Sequence, residues 1–361
     1  MSAHLESGAK QRFAVLDGMR GLAALAVISD HVSSPLMDAL IPGRYLAVDF
    51  FFILSGFVLT HVYADRLAAG MGALKFMRVR LIRLYPLYLA GILLGGALAL
   101  LYAIKGWGEG TIAQVASSFL FALPLSPAPP ALSIWPDAPF PLDGPAWSLF
   151  FELFINGAFA LIFLWLTPLR TVLIALAAGL LLIPSVFLLT SRLDAGFAWS
   201  NFLGGFPHVA YAFFAGVFIY QMRSRVRLPV LPPWAAFLGL IAVFAAPVPA
   251  YGVARSFYDL AAAFVLCPAL VALSADSKIS GRVLRVSAFL GAMSYGVYIL
   301  HVPIWGWLRL ATDMVAPDGA VPGVVNVALT AAIALGATAV LTRVYDVPVR
   351  RMLMRRSPAA A

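Results

Sequence analysis

Four ionisable residues follow Arg12 within one apolar stretch near the start of the chain, RFAVLDGMRGLAALAVISDHVSS over residues 12–34. Such a stretch predicts a membrane-spanning helix, because about 20 apolar residues at a rise of about 1.5 Å cross the hydrocarbon. Ionisable groups at that depth cost roughly 3 kcal/mol each, so they usually face the protein interior and have a function. The four residues are Asp17, Arg20, Asp30 and His31.

Arg20 and His31 form the pair with the most suggestive spacing. They are eleven positions apart, which at about 100° per residue places both on one helix face, about 16 Å apart. One face therefore holds a permanent cation at one depth and, at another, an imidazole suited to proton transfer near neutral pH. In the alternative interpretation, Arg20 reaches the lipid headgroups and His31 simply ends the helix at the interface. We favour a function for the pair.

The sequence GPAWSLFFELF adds a second polar group, in which Ser148 and Glu152 share a helix face at i and i+4. Glu152 has apolar neighbours, so we expect it to position His31, to hold a proton or to bind sugar hydroxyls. Trp147 fits a sugar-stacking platform and an aromatic anchor at the membrane interface equally well. No Gly-x-Ser-x-Gly elbow surrounds Ser148, which argues against a nucleophile and leaves substrate binding as its predicted role.

Two other apolar segments carry polar residues. Asp49 opens AVDFFFILSGF and is consistent with contact to a substrate hydroxyl and, equally, with a helix cap. In GAMSYGVYILHVP, one polar stripe holds Ser294, Tyr298 and His301 at i, i+4 and i+7. His301 fits either a satisfied core histidine or, with Tyr298, the wall of a polar cavity that binds substrate.

Basic residues precede a later apolar segment in RVRLIRLYPLY, where Arg80 and Arg83 share a face at i and i+3. Guanidinium groups bind phosphates through two parallel hydrogen bonds, so this pair is the predicted contact for an anionic cytosolic cofactor. The alternative is that these residues only orient the chain, as basic residues at an inner membrane boundary do.

Composition identifies the class of protein. The chain has 361 residues, of which 62% are hydrophobic and 11% charged, a balance typical of polytopic membrane proteins. The net charge of +9 comes from Lys and Arg in short loops between apolar segments, which argues against nucleic acid as a partner. The single Cys267 lies in an apolar segment, so neither a disulfide framework nor a zinc-type spacing is present.

The basic clusters, which begin near Lys10, Lys75, Arg223, Lys278 and Arg350, should all be cytoplasmic. Between the second and third clusters the chain must then cross an even number of times, although five apolar segments lie there. One of the five is therefore not a span. We assign this to segment 111–124, which is short and ends in proline, as expected of a re-entrant or interfacial helix. The ten remaining segments are the predicted spans: 13–33, 45–63, 84–104, 146–166, 171–190, 205–222, 234–250, 254–274, 288–310 and 323–346.

These segments predict an all-α fold, a polytopic transmembrane helical bundle of about ten spans with one short re-entrant or interfacial helix. The bundle forms a single domain over residues 1–361, and both termini are cytoplasmic. We expect no cleaved signal peptide, because no Ala-x-Ala site follows the first residues. The Pro-dense segment 125–145 predicts an extracytoplasmic lid or wall over a cavity.

Five motifs, in order, resemble the membrane acyltransferase family 3, bacterial O-acyltransferases that modify surface polysaccharides, other glycans or small products. The motifs are LDGMRGLAAL with the Arg20-x10-His31 spacing, VDFFFILSGF, Arg80-x-x-Arg83 before LYPLY, WSLFFE and SYGVYILHVP. The resemblance extends from Phe13 to about Arg350. Arg20, His31, Arg80 and Arg83 occupy the family's functional motif positions.

The resemblance implies an inner-membrane enzyme that moves an acyl group, here expected to be acetyl, from cytosolic acyl-CoA to a hydroxyl of a glycan or related extracytoplasmic acceptor. In this interpretation His31 is the general base, Arg80 and Arg83 hold the CoA phosphates, and Arg20 guides the pantetheine or polarises the thioester carbonyl. Acyl-CoA is a donor substrate, and no permanently bound cofactor or metal is expected. The expected partners are the acceptor and membrane lipids. The sequence leaves open whether the protein forms a homo-oligomer. The alternative function is a transporter or flippase for a lipid-linked sugar or an anionic solute.

Overall fold

The computed structural model describes residues 13–108, 110–316 and 321–355, and Lys10 lies outside this part of the chain. Within it, every regular element is helical, which confirms the predicted all-α class. The α-helices are α1 Ala14–His31, α2 Pro35–Leu40, α3 Ala47–Ala68, α4 Ala73–Lys105, α5 Ile112–Ala122, α6 Ala146–Ile162, α7 Pro168–Ser185, α8 Gly205–Met222, α9 Pro233–Ala245, α10 Val253–Ala261, α11 Cys267–Ser274, α12 Gly281–Val315, α13 Gly323–Leu341 and α14 Val347–Arg355. The π-helical segments Ala262–Leu266 and Thr342–Asp346 join α10 to α11 and α13 to α14.

Eight helical stretches among the described residues are long and apolar enough to cross a membrane. Two other predicted spans fall outside this set: α1, which has 18 residues and carries Asp17, Arg20 and Asp30, and α9, which has 13 residues. Together with the eight, they give the ten segments predicted as spans. The segment predicted to be re-entrant or interfacial contains α5, an apolar helix of 11 residues. The chain is a polytopic helical membrane protein.

Helix α1 lies parallel to α12, inside the bundle. A Cβ atom at Gly18 would lie 2.5 Å from Oγ of Ser287, and one at Gly21 would overlap the side chain of Leu290. Small residues of this kind allow two helix backbones to approach closely within a membrane. Because one face of α1 is packed in this way, its charged residues can meet protein groups instead of lipid.

Helices α3 and α8 run in the same direction and cross at a pair of glycines. A Cβ atom at Gly56 would overlap the carbonyl oxygen of Phe213, and one at Gly216 would overlap the carbonyl oxygen of Ile53. Neither position has room for a side chain. This close crossing holds the N-terminal half of α3, which carries Asp49, against the start of α8.

Helix α4 runs parallel to α12 and is tied to it by side-chain hydrogen bonds. The hydroxyl of Tyr295 donates to the carbonyl oxygen of Leu84 at 2.6 Å, and Nε1 of Trp307 donates to that of Leu94 at 3.0 Å. The Pro-dense segment 125–145 packs against the same region, where Phe140 and Leu142 are buried. The segment is therefore part of the packed body of the protein.

Candidate functional site

A cavity of about 200 Å³ lies between α1, α3, α4, α6 and α12, and we call it the central cavity. Its wall is apolar on the α3 side, where Phe51, Phe52 and Val58 contribute. Its polar lining comes from residues that are far apart in sequence: Arg20, Ser55, Arg80, Arg83, Ser148, Glu152, Ser294, Tyr295 and Tyr298. Six of the ten site residues predicted from the sequence therefore line one cavity: Arg20, Arg80, Arg83, Ser148, Glu152 and Tyr298.

Glu152 is the acceptor in a polar cluster on the cavity wall. Its Oε1 accepts a hydrogen bond from Nη2 of Arg80 at 2.8 Å and another from the hydroxyl of Ser55 at 2.8 Å. Arg80 is buried, with a side-chain exposure of 6%, whereas Glu152 is 24% exposed toward the cavity. The two charges neutralise each other, so the Arg80 guanidinium is already engaged by protein.

Arg83 and Arg20 have different surroundings. Arg83 is exposed and also lines the cavity, one helical turn beyond the buried Arg80. Arg20 is held from two sides, because its Nη2 donates to the carbonyl oxygen of Gly291 at 2.7 Å and to Oδ1 of Asp17 at 3.0 Å. The cavity thus presents one braced guanidinium on α1 and one solvent-accessible guanidinium on α4.

Two hydroxyls on the wall of the central cavity contact each other. Oγ of Ser148 lies 2.7 Å from the hydroxyl of Tyr298, and Ser148 also donates to the carbonyl oxygen of Pro145 at 3.1 Å. A hydroxyl has one proton to donate. Because Ser148 donates that proton to Pro145, its oxygen is the acceptor for the Tyr298 hydroxyl. These contacts fix the Tyr298 ring on the wall of this cavity, and the next layer of α12 begins about one turn later, at His301.

That next layer contains two histidines. Nε2 of His301 lies 3.1 Å from Nδ1 of His31, and the two rings meet edge to face with centroids 4.8 Å apart. His301 is fully buried and lines neither cavity, whereas His31 is exposed. His31 lines a second, open cavity of about 460 Å³, which we call the His31 cavity, with Trp305, Arg309, Thr312, Asp313 and Asn326 among its walls.

Asp49 and Trp147 belong to a separate buried cluster. Oδ1 of Asp49 lies 2.8 Å from Nε2 of His208, and Nδ1 of His208 lies 3.1 Å from the carbonyl oxygen of Ala195. Both ionisable side chains are 1% exposed, and the ring of Trp147 packs 6.3 Å from the imidazole. Neither Asp49 nor Trp147 lines the central cavity or the His31 cavity.

Sequence reasoning missed His208 as a partner. The signal was available, because His208 lies in the apolar sequence GFPHVAYAFF and an ionisable group at membrane depth usually has a specific contact. What the sequence lacks is the pairing itself, since 159 positions separate His208 from Asp49.

Asp143 is another buried acid that sequence reasoning did not single out. It is 1% exposed, and neither carboxyl oxygen has a hydrogen-bond partner among the described residues. The backbone of Gly91 approaches it so closely that a Cβ atom there would lie 2.5 Å from Oδ2. Burial raises the pKa of the Asp143 carboxyl well above its ordinary value of 3.8, because the charged form is desolvated.

Comparison with known proteins gives a family match over most of the chain. Residues 13–343 match the acyltransferase 3 family model, described as an acyltransferase domain. "Protein 2 in picA locus" from Rhizobium radiobacter is 35% identical over 159 residues, which are 42% of this chain and 82% of that protein. No solved structure matches the chain.

Proposed function

Because the chain belongs to the acyltransferase 3 family, we propose that it is an inner-membrane O-acetyltransferase with a cytosolic acetyl-CoA donor. The proposed acceptor is a hydroxyl group of a glycan or related molecule outside the cytoplasm. One observation carries the proposal: α1 joins the two cavities, with Arg20 on the wall of the central cavity and His31 on the wall of the His31 cavity.

The central cavity supports acyl-CoA as the donor. Its volume of about 200 Å³ is below the range of about 300–1,000 Å³ that encloses a drug-sized ligand. It therefore has room for the thioester end and a short acyl group, while the nucleotide stays outside. Arg83 lines the cavity and is exposed, so it is the proposed phosphate contact, whereas the Arg80 guanidinium is paired with Glu152.

The proposed reaction needs a base for the acceptor hydroxyl and a group that holds the donor. Nε2 of His31 accepts the proton of the acceptor hydroxyl while that oxygen attacks the thioester carbonyl carbon. The carbon–sulfur bond then breaks, the ester forms, and the CoA thiolate leaves and is protonated. Arg20 is the proposed contact for the pantetheine chain of the donor, because Asp17 and Gly291 hold its guanidinium in place on the central cavity, about three helical turns from His31.

The donor half of the proposal is tested by binding of acetyl-CoA to purified protein. Arg83→Lys keeps the charge but loses the bidentate geometry, so we expect weaker binding, and Arg83→Ala should bind more weakly still. Arg282→Ala is the matched control, because Arg282 is an exposed arginine at the start of α12 that does not line the cavity. Equal affinity in Arg83→Ala and Arg282→Ala would contradict the assignment.

The catalytic half is tested by CoA thiol release and acyl transfer in membranes with equal protein levels. A general base contributes roughly 10²–10⁴-fold to a rate, so His31→Ala should lose transfer while acetyl-CoA binding persists. His31→Gln keeps hydrogen bonding but cannot take the proton, and we expect it to be nearly as inactive. Wild-type transfer by His31→Gln would refute the base. Absence of thiol release from wild-type protein with every acceptor supplied would favour the transport alternative.

A further inference from the structure

We infer that His301 is a positioning residue for His31. In this inference His301 holds the His31 ring in the tautomer that carries its proton on Nδ1, which leaves the Nε2 lone pair for the acceptor hydroxyl. The inference rests on the proposed role of His31 as base. It assigns to His301 a role distinct from substrate binding, because His301 is fully buried and lines neither the central cavity nor the His31 cavity.

The tautomer of His301 follows from a backbone contact. Its Nδ1 lies 2.6 Å from the carbonyl oxygen of Tyr298, one turn earlier on α12. A carbonyl oxygen can only accept a hydrogen bond, so Nδ1 of His301 must carry a proton. In a neutral imidazole the other nitrogen then has a lone pair. Nε2 of His301 is therefore an acceptor, and it points at His31.

The tautomer of His31 follows in the same way. Its Nδ1 lies 3.1 Å from Nε2 of His301 and 3.2 Å from the carbonyl oxygen of Val27. Both of these atoms are acceptors, so Nδ1 of His31 must be the donor and carries the proton. Two independent acceptors thus select the same tautomer. Nε2 of His31 keeps its lone pair, and no hydrogen-bond partner contacts it among the described residues.

In the hydrogen bond between the two rings, His31 is therefore the donor and His301 the acceptor. When Nε2 of His31 takes a proton from the acceptor hydroxyl, the ring becomes an imidazolium and its Nδ1–H bond to His301 becomes charge-assisted and stronger. His301 passes no proton onward, because its own Nδ1–H is held by the Tyr298 carbonyl. A buried ring beside a new cation also has no reason to become charged itself. His301 therefore orients and stabilises the base without changing its own protonation state.

Two amide variants test the inference, because they differ only in reach. The amide oxygen of glutamine can occupy about the position of the imidazole Nε2, whereas that of asparagine is closer to the backbone and corresponds to Nδ1. We expect His301→Gln to retain most of the transfer. His301→Asn and His301→Leu should lose roughly tenfold in kcat, because one orienting hydrogen bond is lost, while the KM for acetyl-CoA stays unchanged.

A spectroscopic measurement separates orientation from general packing. Nitrogen NMR of protein with labelled histidine rings reports the tautomer of each ring, and the His31→Gln spectrum identifies the His31 signals among the five histidines. We expect a proton on Nδ1 of His31 in wild-type protein and in His301→Gln, and a smaller Nδ1-protonated fraction in His301→Leu, where the carbonyl oxygen of Val27 is the one remaining acceptor among the described residues. A proton on Nε2 of His31 in wild-type protein, or an unchanged tautomer in His301→Leu, would overturn the inference. Activity of His31→Gln would instead remove the proposed base and leave the tautomer result standing, so the two failures are distinguishable.

Discussion

Removal of Arg80 alone from the Arg80–Glu152 ion pair should destabilise the protein more than removal of both charges. Arg80→Met keeps most of the apolar stem and deletes the guanidinium, which leaves the Glu152 carboxylate with only the Ser55 hydroxyl as a partner. A buried pair that loses one member costs about 3–5 kcal/mol, because an uncompensated charge stays desolvated.

The structure places this pair at the low end of that range. Glu152 is 24% exposed toward the cavity, so its charge keeps part of its hydration, and we expect Arg80→Met to cost about 3 kcal/mol. Glu152→Gln keeps an oxygen acceptor and should cost about 2 kcal/mol. The double variant contains no unpaired charge, so it should cost about 2 kcal/mol, which gives a coupling energy of about 3 kcal/mol.

The assay is reversible unfolding of the unliganded protein in mixed detergent micelles, with the four proteins of a double-mutant cycle measured side by side. Arg83→Met is the control, because this neighbouring arginine is exposed and its loss should cost less than about 0.5 kcal/mol. Additive effects of the two single substitutions would refute the buried pair. Arg80 would then be available for a ligand phosphate, as the sequence predicts.

Two further predictions concern topology and pH. In a Cys267→Ala background, Trp135→Cys should react with an impermeant thiol reagent from outside the cell and Ser280→Cys only from the cytoplasm; labelling of position 135 only from the cytoplasm would refute the ten-span topology. The raised pKa of Asp143 means that the folded protein holds a proton which the unfolded chain releases above about pH 4, so the free energy of unfolding should fall as pH rises. Asp143→Asn cannot ionise and should lessen the fall in Tm between pH 5 and pH 8, and an identical pH dependence in both proteins would show that Asp143 is ionised in the folded state.

Hydropathy was sufficient to predict the helices but not their ends. The predicted segment 84–104 corresponds to α4, which begins at Ala73, because a helix can continue past the hydrocarbon with basic residues that hydropathy does not count. The predicted segment 234–250 corresponds to α9, which ends at Ala245. Pro247 and Pro249 follow, and proline disfavours helix both at its own position and at the residue before it.

For the polar residues, the sequence predicts the helix face on which each lies but not its partner on another helix. The shared face of Arg20 and His31 follows from helix geometry alone, and both side chains line cavities on α1. The partner of each ionisable group depends on which helices are neighbours. His31 meets His301 across 270 positions and Arg80 meets Glu152 across 72. Apolar periodicity specifies which face of a helix is buried but not which other helix covers it, so these pairs could not be derived from the sequence.

The layer formed by Tyr298 and His301 separates the two cavities, and this separation bears on how acyl transfer would be controlled. Gly291, which holds Arg20, and His301 are ten residues apart on α12, about 15 Å along the helix. In the proposed reaction, this layer would keep a thioester in the central cavity apart from a hydroxyl in the His31 cavity, with the Tyr298–Ser148 hydrogen bond on the central-cavity side of the layer. The same layer would hinder water that enters from the His31 side and so slow hydrolysis of the donor. On this proposal the acyl group must pass the Tyr298–Ser148 pair to reach His31, so we expect the Tyr298 side chain to move during transfer.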